Sequence, residues 1–220
     1  MESDMSNLTA RQKILEVGLI PVVRASSSDE ALAIVEAIKS SGLSILEITM
    51  TVPGAIKVIE AVANRYGKEV LLGAGTVLDP ETARTAILAG AEFIVSPALN
   101  LETVKLCKRY SKVVIPGTLT PSEILTAWEA GAEFVKVFPC DSVGGPKYIK
   151  ALKGPFPQIE LVPTGGVNLA TAAEFISAGS AALAVGSELV DKAAVALGNL
   201  EKVKLNASLF LDVVKRAREK

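Results

Sequence analysis

Short β-branched runs alternate with amphipathic stretches of helical length along the whole chain, and the alternation repeats eight times. Strand candidates are Ile20–Arg24, Ile45–Met50, Val70–Thr76, Phe93–Pro97, Val113–Gly117, Phe134–Pro139, Ile159–Thr164 and Ala182–Ser187. Helical patterns fall between them at Ser28–Ser41, Gly54–Tyr66, Glu81–Ala89, Leu101–Tyr110, Pro121–Ala130, Pro146–Leu152 and Leu169–Ala178. A strand that returns parallel to its predecessor needs a crossover helix, so this order predicts parallel pairing. Eight such units of roughly 20–25 residues point to a closed (β/α)8 TIM barrel rather than an open doubly wound sheet. An extra N-terminal helix is expected around Ala10–Val17, with C-terminal helices across Leu197–Lys220. With no linker in view, residues 1–220 are expected to form a single barrel domain.

The punctuation between elements agrees. Ser28-Asp29-Glu30, Asp79-Pro80-Glu81 and Thr120-Pro121-Ser122-Glu123 read as N-cap or first-turn signals after strands. Gly42, Gly90, Gly131 and Gly179 each close a helix before the next strand. Their spacing is compatible with a quarter-barrel repeat, or with independent use of one C-cap chemistry.

Composition matters for what it removes. The chain has no histidine, which excludes Ser-His triads and every His-ligated metal site. Acid–base work must fall to carboxylates, lysine, tyrosine or cysteine. The two cysteines, Cys107 and Cys140, form neither a disulfide framework nor a metal-ligand spacing, and a reducing, cytoplasmic setting is expected. Net charge is −1 with no basic run, so small-molecule chemistry is favoured over nucleic acid. Residues Met1–Ala10 carry no apolar signal, and the apolar runs are strand-sized, so neither secretion nor a membrane is expected.

Against that background three charges stand out. Phe134-Val135-Lys136-Val137-Phe138 sets a lysine in an apolar strand, and Leu46-Glu47-Ile48 does the same for a glutamate. Val22-Val23-Arg24 ends a strand on an arginine, at the face where barrels keep their active sites. Each has a plainer explanation: Lys136 could snorkel to solvent, and Glu47 and Arg24 could form a structural ion pair. Together, on strands of one barrel and without histidine, they suit nucleophilic chemistry. An amine desolvated by Val and Phe has a lowered pKa and attacks ketones, and a nearby carboxylate can shuttle protons.

Two glycine turns follow the last two strands, at Pro163-Thr164-Gly165-Gly166-Val167 and Ala184-Val185-Gly186-Ser187. Backbone N–H groups at such turns commonly cradle phosphate in barrels, although ordinary tight turns share the composition. Gly73-Ala74-Gly75-Thr76 ends the third strand similarly, and Thr76 with Arg24 could hold a planar carboxylate. Phe138 is expected to wall the lysine pocket, and Pro97 and Pro116 to shape its rim.

Taken in order, these residues resemble the 2-keto-3-deoxy-6-phosphogluconate / 4-hydroxy-2-oxoglutarate aldolase family. The resemblance rests on Gly131-Ala-Glu-Phe-Val-Lys136-Val-Phe-Pro139-Cys-Asp-Ser-Val-Gly144 and on Gly42-Leu-Ser-Ile-Leu-Glu47-Ile-Thr49. Gly73–Val77, Ser96-Pro97, Ile115–Gly117 and Pro163–Gly166 fall in the same order, and the similarity runs from about Ile20 to Val190. It implies a class I aldolase that needs no metal or cofactor and assembles as a homotrimer. It makes Lys136 the imine-forming lysine and Glu47 the proton-transfer group. It places Thr76 and Arg24 on the pyruvyl carboxylate, Phe138 and Pro97 in the pocket wall, and Gly165, Gly166, Gly186 and Ser187 on the phosphate. Where many relatives carry an arginine after the glutamate segment, this chain reads Thr49-Met50-Thr51, and Arg24 is expected to substitute for it. Two other classes fit the glycine cradle: a phosphate-binding isomerase or epimerase, and a non-catalytic phosphosugar-binding barrel. Neither requires a lysine buried on the sixth strand.

Overall fold

Each helix starts where the sequence offers the backbone a substitute hydrogen-bond partner. In the computed structural model, which describes residues 2–219 and side chains from Ala10 onward, Ser27 accepts from the Glu30 amide, one residue before the expected start. Asp79 accepts from Thr82, and Thr120 with Glu123 forms a reciprocal capping box. Gly42, Gly90, Gly131 and Gly179 all take positive φ, the left-handed conformation that ends a helix without Cβ strain. Met1 and Lys220, the outer limits of the expected domain and of its last helix, lie outside the described residues.

The elements run α1 (Glu2–Val17), β1 (Leu19–Val23), α2 (Ser28–Ser40), β2 (Ile45–Thr49), α3 (Ala55–Tyr66), β3 (Leu71–Gly75) and α4 (Pro80–Leu88). Then come β4 (Phe93–Val95), α5 (Leu101–Arg109), β5 (Val113–Ile115), β6 (Gly117–Thr118), α6 (Pro121–Glu129), β7 (Val135–Val137) and α7 (Pro146–Lys153). The chain ends with β8 (Leu161–Pro163), α8 (Ala172–Ser177), β9 (Leu183–Val185), α9 (Lys192–Ala196) and α10 (Leu200–Arg218). The expected strand Val113–Gly117 is thus two segments. Pro116 has no N–H to donate, so the ladder breaks there and resumes at Gly117. The expected helix Leu169–Ala178 is shorter, because Asn168 accepts from the amides of Ala170 and Thr171 and holds that stretch in a turn.

All strand pairs are parallel. One sheet has the order β5-β4-β3-β2-β1-β9 and a second β6-β7-β8. Contiguous chain joins them at Pro116, and a single bridge, Thr164 to Ala184, joins β8 to β9. The fold is therefore α/β, with a parallel sheet wrapped by helices.

Residues two apart on a strand share a face, and here the two faces feed two cores. The larger core lies between strands and helices. The other collects Ile20 and Val22, Ile45, Leu71, Phe93 and Val95, Val113 and Ile115, Phe134, Val162 and Ala184, drawn from both sheets. Ala10 and Ile14 of α1 join it, so the N-terminal helix stops the end of this inner core where the strands begin.

The chain ends are tied together by one side chain. Arg218 donates to the carbonyls of Leu15 (2.5 Å) and Glu16 (2.9 Å) at the end of α1, and to Ala181 (2.6 Å) before β9. A cation on the orphan carbonyls of a helix C-terminus is favourable both as donor and through the helix dipole. Its guanidinium fills the space that a Cβ at Gly18 would need, and Gly18 itself sits at φ 66°. Arg218→Ala should lower unfolding stability by about 1–3 kcal/mol, as loss of charged hydrogen bonds does. Urea titration should show a lower midpoint with an unchanged slope.

Candidate active site

Extending each inner-core face by one more residue leads directly to the expected site. Val22 leads to Arg24, Ile45 to Glu47, Phe134 to Lys136 and then Phe138, Val162 to Thr164, and Ala184 to Gly186. The site is the C-terminal continuation of the inward alternation, and register aligns it. Val22 pairs with Glu47, Glu47 with Gly73, Gly117 with Lys136, and Lys136 with Val162.

Lys136 and Glu47 are both buried, at 5% and 1% exposure. Burial depresses the Lys136 ammonium below its ordinary pKa; Glu47 partly restores it, and Arg24 depresses it further. The same desolvation raises the Glu47 carboxyl, against the pull of Lys136 and Arg24. Glu47 Oε2 has no hydrogen-bond partner. The Lys136 Nζ lies 5.2 Å from the centroid of the Phe138 ring, within cation–π range. The Thr118 hydroxyl donates to the Lys136 carbonyl (2.9 Å), holding β7 against β6.

Gly73 and Gly75 have a different purpose from the one their motif suggests. A Cβ at Gly73 would enter the Phe93 ring, and one at Gly75 would enter the Glu47 carboxylate. These glycines make room for neighbouring side chains rather than for a ligand. Gly75→Ala should displace Glu47 and lower turnover by at least about tenfold, the scale expected when a catalytic group is misplaced by an ångström. Imine formation at Lys136 should survive, which separates displacement of the carboxylate from collapse of the site.

Thr76 follows at φ 59°, an uncommon left-handed conformation for a β-branched residue. Its side chain is partly buried at the end of β3. Pro97 lies at the end of β4, and its backbone sits where a Cβ at Gly117 would be.

The two glycine turns do come together. Gly165 and Gly166, both at positive φ, share a cavity of about 120 Å³ with Gly186, Ser187, Phe138 and Arg24. Arg24 reaches across to Gly186, its Nη1 3.3 Å from where a Cβ would sit. The structure therefore sets Arg24 at the glycine cradle, whereas its expected companion Thr76 is not among the residues lining that cavity. Thr164 lines the cradle too, buried with an unpartnered hydroxyl. Sequence reading passed over it, although its place two residues after Val162 on the inward face was the available signal. Among the described residues, no three His, Cys, Asp or Glu side chains gather to hold a metal ion. No described helix is long and apolar enough to cross a membrane.

The arrangement is thus a desolvated amine and a desolvated carboxyl at one end of an apolar core, with a glycine-lined cavity at the same end. It suits attack on a carbonyl followed by proton transfer. Comparison with known proteins points the same way. The family described as KDPG and KHG aldolase matches residues 10–205. A 2-dehydro-3-deoxy-phosphogluconate aldolase of Haemophilus influenzae is 34% identical over 205 residues, covering 93% of this chain and 96% of that protein. A 2-dehydro-3-deoxy-6-phosphogalactonate aldolase of Escherichia coli is 40% identical over 172 residues, covering 78% of this chain and 83% of that protein. Among solved structures, a Legionella pneumophila KDPG aldolase holding pyruvate as a covalent carbinolamine superposes with a TM-score of 0.84. It is 30% identical and covers 93% of this chain and 97% of that one.

Proposed function

The chain belongs to the KDPG and KHG aldolase family, and on that premise we propose that it is a class I aldolase acting through an imine on Lys136. Its substrate is 2-keto-3-deoxy-6-phosphogluconate, cleaved to pyruvate and glyceraldehyde 3-phosphate. The observation that carries this reading is a buried Lys136 amine electrostatically coupled to a buried Glu47 carboxyl, each shifting the other's pKa. An isomerase or a binding barrel that shares only the phosphate cradle has no need of a lysine buried on that strand. The same chemistry on 4-hydroxy-2-oxoglutarate or on the 6-phosphogalactonate epimer is the second reading. It is favoured by the galactonate-cleaving relative above.

In the proposed sequence, the neutral Lys136 amine attacks the C2 ketone, and loss of water with uptake of one proton from solvent, returned on the final hydrolysis, leaves a protonated imine. Glu47 removes the C4 hydroxyl proton. The C3–C4 bond breaks, its electron pair passing into the iminium, and the aldehyde departs. Glu47 returns its proton to C3 of the enamine, and water hydrolyses the imine to release pyruvate and restore the amine. No redox change and no metal is required.

Thr76 serves the pyruvyl carboxylate, and Phe138 and Pro97 wall the reacting carbons. Gly165, Gly166, Gly186 and Ser187 hold the phosphate through backbone amides and the serine hydroxyl. Arg24 was expected beside Thr76; its approach to Gly186 supports a role at the phosphate end instead. The fold is a closed (β/α)8 barrel in a single domain, supported by the shared inner core and by the Thr164–Ala184 bridge. A homotrimer in the cytoplasm completes the proposal; the free thiols of Cys107 and Cys140 suit a reducing compartment.

The test is to incubate the protein with pyruvate and borohydride and to locate the adduct by mass spectrometry, alongside an assay of pyruvate release. An adduct on Lys136 with cleavage of the phosphorylated keto acid is expected. Folded protein with no adduct would overturn the imine mechanism. Equal efficiency on phosphorylated and unphosphorylated acids would overturn the phosphate cradle.

A further inference from the structure

A cavity of about 570 Å³ opens at the other end of the strands from Lys136, between α1, the end of α3 and the starts of β3, β4 and β5. Its volume falls within the range of about 300–1,000 Å³ typical of small-molecule sites. Val70, Leu71 and Leu72 form its floor, all three buried as the chain enters β3. A Cβ at Gly90 would strike the Ala63 Cβ, so the turn before β4 packs directly on α3 and closes that side. Three ammonium groups edge the floor, Lys13 of α1, Lys68 after α3 and Lys112 before β5, against one carboxylate, Glu92. That carboxylate is committed to Lys112 at 2.7 Å. Among the described residues, Lys13 and Lys68 then have no acid partner. Lys13 is partly buried, and burial holds its ammonium below the ordinary lysine value.

An apolar floor edged by cations that lack a counter-charge complements one kind of molecule. A wholly apolar ligand would desolvate the ammonium groups further and leave them unpaired. A sugar phosphate would lay hydroxyl groups on Val70, Leu71 and Leu72, which offer them no side-chain partner. An apolar body with a single anionic end satisfies both parts: it covers the floor and returns a charge-assisted partner to the lysines. We propose that this cavity is a binding site for an amphipathic monocarboxylate, its apolar body on Val70, Leu71 and Leu72 and its carboxylate paired with Lys13 and Lys68. The site shares no residue with the proposed reaction and stands independently of it.

The experiment titrates the full chain calorimetrically with octanoate and with 1-octanol, which has the same apolar body and no charge. Saturable binding of one octanoate per chain is expected, weakening as salt is added. The alcohol should bind at least about tenfold more weakly, for want of the charge-assisted pairs. Lys13→Glu and Lys68→Glu should each weaken octanoate at least about tenfold, since a pair becomes a like-charge contact. Both should leave the alcohol unchanged. Lys150→Glu, the same charge change at an exposed position on α7, should leave octanoate binding as it is. Saturating pyruvate should not compete. Lys68 is exposed, so Lys68→Glu decides the matter should Lys13→Glu not fold. The site is overturned by absence of saturable octanoate binding, by equal affinity for the alcohol, or by a folded Lys13 or Lys68 variant with unchanged affinity. An equal loss in Lys150→Glu, or displacement of octanoate by pyruvate, overturns it as well, because either places the acid elsewhere on the protein.

Discussion

Lys136→Met is expected to lower turnover on the order of 10⁴-fold or more, the scale seen when an enzyme loses its covalent nucleophile, and to abolish the borohydride-trapped pyruvate adduct. The reasoning is local. The amine sits in an apolar strand at 5% exposure, and burial holds its pKa below the ordinary lysine value. The neutral, nucleophilic form is therefore populated at lower pH than for a surface lysine. Trapping in the wild type should accordingly proceed at neutral pH and fall away as pH drops and the amine gains its proton. The melting temperature of Lys136→Met should not fall with its activity. Methionine removes a desolvated cation from an apolar site and fills similar space. Glu47, losing the stronger of the two cations that lower its pKa, answers by holding its proton more tightly. A variant that melts well below the wild type would mean that Lys136 serves mainly to pair Glu47, and the imine reading would lose its support.

Glu47→Gln should separate the steps that Lys136→Met removes together. Without a proton acceptor at the C4 hydroxyl, cleavage should drop about 10²–10⁴-fold, the usual contribution of a positioned acid–base group. The imine with pyruvate should still form and be trapped. The pH dependence has a definite sign. The folded-state pKa of Glu47 is raised above 4.5, so the acid limb of the wild-type cleavage profile should lie above that value, where the base is lost to protonation. The folded protein then binds this proton more tightly than the unfolded chain. Wild-type stability therefore decreases as pH rises from 4.5 through the raised pKa, and the glutamine variant lacks that decrease. Thermal melts of both proteins across this range should converge at low pH and diverge above it, with the variant the more stable. Because Lys136 and Glu47 titrate as a coupled pair, the limbs belong to the pair rather than to either residue. A variant with intact cleavage would remove Glu47 from the mechanism.

Much of the site was legible because it is periodic. Alternation along a strand is a property of the chain, so once Val22, Ile45, Phe134, Val162 and Ala184 are read as inward, the residue two further on is inward too. Sequence reading singled out Arg24, Glu47 and Lys136 by their charge in apolar strands and Gly186 by its glycine turn, and the alternation would have added Thr164. The break at Pro116 was also open to inspection, since a proline cannot donate to a central ladder. It was passed over in favour of one uninterrupted strand.

What could not be read from the chain concerns distances between strands. Gly73 and Gly75 read as an approach for ligand, but the Phe93 ring and the Glu47 carboxylate take that space. Both occupants come from other strands, and only register brings them there. The long Arg24 side chain reaches Gly186 and lines two cavities. A rotamer of a flexible side chain depends on which neighbours leave room for it, and sequence spacing carries no such information.

The sequence by itself determined the α/β order, the helix caps and the placing of Lys136 and Glu47 within apolar strands. Those follow from periodicity, turn residues and the cost of burying charge, all of which act locally. Only the tertiary structure decided that Arg24 reaches Gly186 and that Gly75 leaves room for the Glu47 carboxylate. Those features arise where side chains from separate strands compete for the same space, a contest settled by packing after the strands have met.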